Sequence, residues 1–358
     1  MTKAHGGDIY TATSFLHSQE ICRDFSANLN PFGAPESMRK AIANAAAQII
    51  HYPDPDCREL RQALAEYHCI SPEQVVCGNG GADIIYRTAR ALHAKNVLIP
   101  VPTFSEYADA FREAGSAVTF WNMPPSLQVT DELLSVLQCK KFDCLVLCNP
   151  NNPTGSVIAP ELRSALLRFA AKEHICVLLD ECFWEMTAPD AENYSVLKEL
   201  VQYPDVIVVR SLTKLYAIPG LRIGYGICAD TAKITQIQHT GQPWPVNVLA
   251  SAAGCALLRE SNYRETFLAF LMQERRFLYD ALREFGFSVW EPHANYVFFR
   301  AAGIPDLDER LLTKHILIRH CDNYEGLTAE HYRVAVRTHA ENQKLLDAIA
   351  ACVRGGTA

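Results

Sequence analysis

The sequence predicts an α/β protein: a large domain with a mostly parallel sheet covered by helices, and a smaller α+β domain beside it. Three observations lead there. Apolar runs of strand length alternate with helix-period segments from about Ala45 to Asp230, the pattern of a parallel sheet covered on both faces. Those runs end in loops rich in Asn, Pro and Gly or in a carboxylate, and the carboxyl ends of strands are where open α/β sheets bind ligands. After a long helical stretch, strand and helix patterns alternate again from Tyr296 onward. On this reading residues 45–245 form the large domain, while 1–44 and 246–358 form an amino-terminal arm and the small domain.

Residues 75–78, Val-Val-Cys-Gly, read as a buried strand that turns at Asn79-Gly80-Gly81-Ala82 into a helix through Ile84-Ile85-Tyr86. Bare backbone amides at Gly80, Gly81 and Ala82 make a phosphate cradle at the helix start. The spacing is neither the GxGxxG fingerprint nor a P-loop. The strand at 96–100 leads to Pro102-Thr103-Phe104, where Phe104 offers an aromatic face to a flat ring. The strand at 144–148 runs into Asn149-Pro150-Asn151-Asn152-Pro153-Thr154-Gly155, a loop dense in turn formers. Leu162, Leu166, Phe169 and Ala170 recur at helical spacing across 161–173. They deliver the chain to Val177-Leu178-Leu179, a buried strand ending in Asp180. In most proteins such an aspartate is a helix cap.

The strand at 206–209 precedes Ser211-Leu212-Thr213-Lys214, with Arg222 eight residues on. A lysine can form a Schiff base with an aldehyde cofactor while nearby hydroxyls and a guanidinium hold that cofactor's phosphate. Alone, a lysine after a buried strand is an ordinary loop residue; the companions upstream give it weight. Helices are expected at 248–258 and 263–285, interrupted near Ser261-Asn262, and strands at 296–299, 316–319 and 333–336. Arg319 and Arg333 stand at the edges of those last apolar runs, where guanidinium forks suit carboxylate and phosphate oxygens.

Composition agrees with a globular protein. A chain of 358 residues is long enough for two domains and a large core. Its net charge of −7 gives no general attraction for nucleic acid. No run approaches the length of a membrane span, and Met1-Thr2-Lys3 opens no apolar signal segment, so a cytoplasmic location is expected. The 13 cysteines include no CxxC pair and several sit in apolar strands, so they read as reduced core thiols. The 12 histidines show no HExxH spacing, and no metal is expected.

In this order the motifs around Gly80, Phe104, Asn152, Asp180, Lys214 and Arg222 resemble the fold-type I pyridoxal-phosphate enzymes of the aspartate aminotransferase superfamily, over nearly the whole chain. The resemblance implies pyridoxal 5′-phosphate as cofactor, carried by Lys214 as a Schiff base, with Asp180 against the pyridine nitrogen and Asn152 on the phenolic oxygen. It assigns the phosphate to Ser211, Thr213, Arg222 and the amides of Gly80, Gly81 and Ala82, and the stacking face to Phe104. Tyr52 matches a tyrosine that reaches the phosphate of a second subunit, which implies a homodimer. Many relatives have tyrosine three residues after the aspartate; this chain has Phe183.

Three further segments narrow the resemblance: His5-Gly6-Gly7, Asp24-Phe25-Ser26-Ala27-Asn28-Leu29-Asn30-Pro31, and Arg333-Val334-Ala335-Val336-Arg337. With them the chain is similar to the threonine-phosphate decarboxylase family of cobalamin biosynthesis, itself close to the histidinol-phosphate aminotransferases. That likeness implies substrate contacts from His5, Gly6, Asn28, Asn152, Arg319 and Arg333. Arg333 falls where aminotransferases hold the α-carboxylate, and Arg319 with His5-Gly6 is better placed for a distal phosphate. The other reading is an aminotransferase acting on a phosphorylated or aromatic amino acid. A binding protein without turnover is a third, and the presence of Lys214 and Asp180 argues against it.

Overall fold

A computed structural model describes residues 5–16 and 23–354. The amino-terminal part supplies α1 (Ile9–Phe15), the short strand β1 (Arg23–Asp24), α2 (Glu36–Ala45) and α3 (Arg58–His68). Strands and helices then alternate, beginning with β2 (Val75–Asn79), α4 (Gly81–Leu92), β3 (Asn96–Val101), α5 (Glu106–Glu113) and β4 (Ala117–Asn122). The series continues with α6 (Glu132–Cys139), β5 (Cys144–Cys148), α7 (Pro160–Lys172), β6 (Cys176–Asp180) and β7 (Val206–Ser211). β8 (Ile223–Cys228) turns back, and α8 (Thr231–His239), α9 (Val248–Leu257) and α10 (Tyr263–Glu284) follow. The last part holds β9 (Ser288–Val289), β10 (Tyr296–Arg300), α11 (Leu307–Leu312) and β11 (Ile316–Leu317). It ends with β12 (Arg319–His320), β13 (His331–Ala335) and α12 (His339–Arg354).

Seven strands form the large sheet in the order β2-β8-β7-β6-β5-β3-β4. Neighbours are parallel from β4 through β7, whereas β8 runs antiparallel to both β7 and β2. The expected sheet is therefore mostly parallel with one reversed strand. The cause is the connection after β7, which carries no α-helical crossover and so returns the chain in the opposite sense. Strands β5 and β7 are buried along their whole length, because helices cover both faces. Side chains alternate between those faces: Leu145, Leu147, Leu179 and Val208 join one apolar cluster, while Val146, Leu178, Ile207 and Val209 join the other. Each such side chain contributes roughly 1.5–3 kcal/mol when fully buried.

The parallel strands end on one edge. Gly80, Phe104, Asn149 to Asn152, Asp180 and Ser211 all follow or close a strand there. The smaller sheet, β12-β13-β10-β9, is antiparallel, and α10 and α12 pack together beside it. The expected strand at 316–319 proves to be two. Ile316–Leu317 pairs in parallel with Arg23–Asp24, while Arg319–His320 pairs with β13, because the chain changes partner between the arm and the sheet. The helical interruption expected near Asn262 is present, and Asn262 has φ 64. Among the described residues no helix is long and apolar enough to cross a membrane. Met1-Thr2-Lys3 lies outside the described residues.

Candidate active site

The strand ends open on a cleft of about 410 Å³, within the roughly 300–1,000 Å³ typical of ligand pockets. Its floor begins at Gly81, just past Gly80, which has φ 89 and caps α4. The φ of Gly80 lies where residues with a Cβ are strained, which requires glycine there, and the Arg222 guanidinium packs closely over the position a Cβ would take. Gly224 on β8 is needed for a related reason: its Cβ would meet Gly80 C and Gly81 N at 2.2 Å. Strand β8 thus passes directly beneath the turn that presents the first amides of α4. Those amides have no partner within the helix and suit an anion. Ser211 Oγ lies 2.7 Å from Thr213 Oγ1 and 3.1 Å from the Ile223 carbonyl. Lys214 Nζ donates to Ser211 Oγ at 3.4 Å, and the exposed Arg222 stands at the mouth with φ 60.

Asp180 closes β6 and is buried. Its Oδ1 accepts the Cys182 amide at 2.8 Å and its Oδ2 accepts the Tyr107 hydroxyl at 2.7 Å. Burial first, and then the Asp180 charge, push Tyr107 well above the ordinary tyrosine value, so the hydroxyl stays protonated and donates. Tyr107 was not legible in the sequence, where a tyrosine on the apolar face of a helix reads as core. Phe104 lines the cleft and meets Tyr107 edge-on, with ring centroids 5.6 Å apart. Phe183 forms another wall, with Lys214 Nζ 5.9 Å from its ring centre.

The loop after β5 is held by Asn151. Its side chain donates to the Pro102 carbonyl and to Thr154 Oγ1, both at 2.9 Å, and accepts from Thr103 Oγ1 at 2.7 Å. Asn152 is thereby turned into the cleft, where the guanidinium of Arg333 and the hydroxyl of Tyr324 donate to its Oδ1. Arg333 also donates to the Ser26 carbonyl at 2.7 Å. Only 4% of Arg333 is exposed, its Nε has no hydrogen-bond partner, and no carboxylate pairs with it among the described residues. A buried charge without a counter-ion is costly, so this corner of the cleft is built for an anion.

The segment after β1 reaches the same place by a tight turn. Asp24 Oδ1 accepts from the Ser26 amide at 2.7 Å and the Ser26 hydroxyl at 2.6 Å. Asn28 then faces the cleft with a buried, unpartnered Oδ1. Asn30 clamps the lysine loop: its amide donates to the Lys214 carbonyl at 3.1 Å and its side chain to the Leu215 carbonyl at 2.9 Å. The arm completes the mouth, with the Gly7 amide donating to Ser26 Oγ at 2.7 Å.

From the predicted cofactor set, Gly81, Ala82, Phe104, Asn152 and Asp180 line this cleft, as do Thr213, Lys214 and Arg222. Gly80 and Ser211 stand just behind. From the predicted substrate set, His5, Gly6, Asn28, Asn152 and Arg333 line it as well. Two residues lie elsewhere. Tyr52 is 78% exposed and stacks on Trp244 at 4.4 Å. Arg319 is buried opposite Arg333 in the strand register, with its guanidinium over the Tyr324 ring at 5.2 Å and on Asn323 Oδ1 at 2.6 Å. Glu106, Tyr107 and Tyr324 were not foreseen.

A family model described as aminotransferase class I and II matches residues 20–349. A threonine-phosphate decarboxylase from Salmonella typhimurium (strain LT2) is 38% identical over 351 residues, spanning 97% of this chain and 95% of its own length. Among solved structures, the histidinol-phosphate aminotransferase from Clostridium acetobutylicum matches with a TM-score of 0.87 at 30% identity, covering 93% of this chain and 99% of that one. The L-threonine-O-3-phosphate decarboxylase from Porphyromonas gingivalis matches with a TM-score of 0.81 at 25% identity, covering 92% and 99%.

Proposed function

The chain belongs to the class I and II aminotransferase family, and within it we propose a pyridoxal-phosphate-dependent decarboxylase. Its reaction converts L-threonine O-3-phosphate to (R)-1-amino-2-propanol O-2-phosphate for the nucleotide loop of cobalamin. The observation that carries the substrate class is Arg333, a buried guanidinium whose hydrogen-bond partners in the cleft are neutral acceptors. The 38% identity to a decarboxylase over almost the full length of both chains supports the choice of reaction over transamination.

The residues present fit pyridoxal phosphate. The backbone conformation at Gly80 requires glycine where the phosphate would approach, two hydroxyls and Arg222 surround that place, and Asp180 retains lone pairs beyond its two donors. When bound, the cofactor supplies an aldehyde that condenses with amines and a protonated ring that draws electrons from the substrate's Cα. Lys214 Nζ would hold the aldehyde, and the same amine would be the proton donor at the substrate's Cα. Asp180 would hold the proton on the ring nitrogen, Asn152 would hydrogen-bond the phenolic oxygen, and Phe104 would offer its face to the ring. Arg333 and Asn152 would grip the α-carboxylate and His5-Gly6 with Asn28 the distal phosphate, while Arg319, behind Tyr324, would add positive charge to the cleft without direct contact.

Grips at both substrate ends would set which Cα bond is oriented for cleavage, here the bond to the carboxylate. Orientation of this kind is worth on the order of 7–11 kcal/mol at its limit. Carbon dioxide leaves, and a proton from Lys214 takes its place. Turnover of threonine phosphate should proceed without a 2-oxo acid; an absolute requirement for one, with no loss of carbon dioxide, would favour the aminotransferase.

The same reading makes residues 45–245 the cofactor domain and the remainder the arm and small domain, and places the enzyme in the cytoplasm. It also makes the enzyme a two-fold homodimer. The exposed, stacked Tyr52 and Trp244 supply an apolar face for it, with Tyr52 reaching the partner's phosphate.

A further inference from the structure

At the mouth of the cleft the His5 imidazole meets the Glu106 carboxylate, Nε2 to Oε1, at 3.0 Å. Glu106 is the first residue of α5, and its other oxygen accepts the Tyr86 hydroxyl of α4 at 2.9 Å. One oxygen is therefore tied to the framework and the other to the arm. That distinguishes the pair from an ordinary surface ion pair, in which both side chains must be ordered for little gain.

The arm has little else to hold the imidazole. Gly6 lies so close to the Ser26 carbonyl that its Cβ would approach that oxygen to 2.2 Å, so the backbone is seated there, and the His5 ring is held by other contacts. The ring otherwise meets Phe104, tilted, at 6.0 Å. His5, Phe104 and Glu106 also line a second cavity of about 300 Å³, bordered by Thr103, Ser105 and Arg112. The His5–Glu106 pair is thus part of the wall between that cavity and the substrate cleft.

We propose that Glu106 is a positioning residue for the distal anion of the substrate: it accepts Nε2–H of His5, and the doubly protonated ring then donates Nδ1–H to the anion. It does so through His5 and without touching substrate. The inference rests on the reading of this end of the cleft as a phosphate grip. With the pair intact, the histidine is ordered before substrate arrives, and less is lost on binding.

The test is a double-mutant cycle on the holoenzyme with two readouts: calorimetric binding of inorganic phosphate, and kcat and KM for threonine phosphate. Glu106→Ala should weaken phosphate binding about tenfold, the scale of one hydrogen bond to a charged group, and lower kcat/KM for threonine phosphate by at least as much. His5→Ala should do the same, and the double variant should be no worse than either single one. Glu106→Gln, which keeps the shape and an acceptor, should recover part of the loss and serves if the alanine variant folds poorly. Independent, multiplying effects of the two substitutions, or unchanged phosphate affinity in both Glu106 variants, would overturn the proposal. Failure of the wild-type protein to decarboxylate threonine phosphate would overturn the reaction instead, and the phosphate titrations would still decide the role of Glu106.

Discussion

Asp180 and Glu181 are neighbours in sequence and serve opposite faces of the sheet. Asp180 turns into the cleft, while Glu181 meets Arg210 of β7 at 2.6 Å on the far side, both side chains at most 1% exposed. The sequence marks Asp180 because a carboxylate closes a buried strand. It hides the partner of Glu181, because that pairing depends on the register of β6 against β7. Lys214 was legible for a similar local reason, with its hydroxyl neighbours two residues apart in one segment. Tyr107 was not, since its contact with Asp180 spans 73 positions. Replacing Lys214 by alanine should abolish the visible absorption of the lysine-bound cofactor and nearly all turnover. A spectrum unchanged from wild type would show that another amine carries the aldehyde.

At the scale of elements, the cleft depends on how β8 and β7 support the loops above them. Gly224 lets β8 pass under the Gly80 turn, and the alternation pattern alone does not show which strand lies there. Gly224→Ala forces backbone apart, and overpacking typically costs about 1–3 kcal/mol. Cofactor affinity should therefore fall about tenfold to a hundredfold by titration, and an unchanged dissociation constant would contradict the geometry.

Below β7, Arg210 Nη1 donates to His68 Nδ1 at 3.4 Å, and His68 Nε2 lies 2.9 Å from the Tyr225 hydroxyl. Since arginine only donates, the ring is neutral with its proton on Nε2. Although part of the residue reaches solvent, the ring is enclosed, and burial first, then the Arg210 charge, lower its pKa well below 6.5. The unfolded chain therefore binds a proton that the folded one excludes, so the stability is present above about pH 6.5 and is lost as pH falls below it. Denaturation midpoints at pH 7.5 and pH 5 should show a larger decline for wild type than for His68→Gln. An equal decline would mean that His68 is not the group excluded from protonation.

At the scale of the molecule, three distant parts of the chain converge: the arm, the edge of the large sheet and the small sheet. The strand ends were legible because their loops carry turn formers and chemistry together. The convergence was not, because Ser26 meets Arg333 across 307 positions and the expected strand at 316–319 splits between two partners. Arg319 accordingly sits behind Tyr324, one side chain removed from the cleft surface. The exposed Tyr52–Trp244 stack leads to the expectation of a dimer in sedimentation at assay concentration, and a fully active monomer would rule that out.

The central claim is that Arg333 and the distal grip turn the α-carboxylate into the position from which it is lost. Its most direct test is the release of carbon dioxide from carboxyl-labelled L-threonine O-3-phosphate by the purified holoenzyme, with no 2-oxo acid present. One carbon dioxide per amine product, lost in Arg333→Ala even though the cofactor remains bound, is the predicted result. Retention of the label in the amino acid, or in a keto acid formed only when a 2-oxo acid is added, would contradict it.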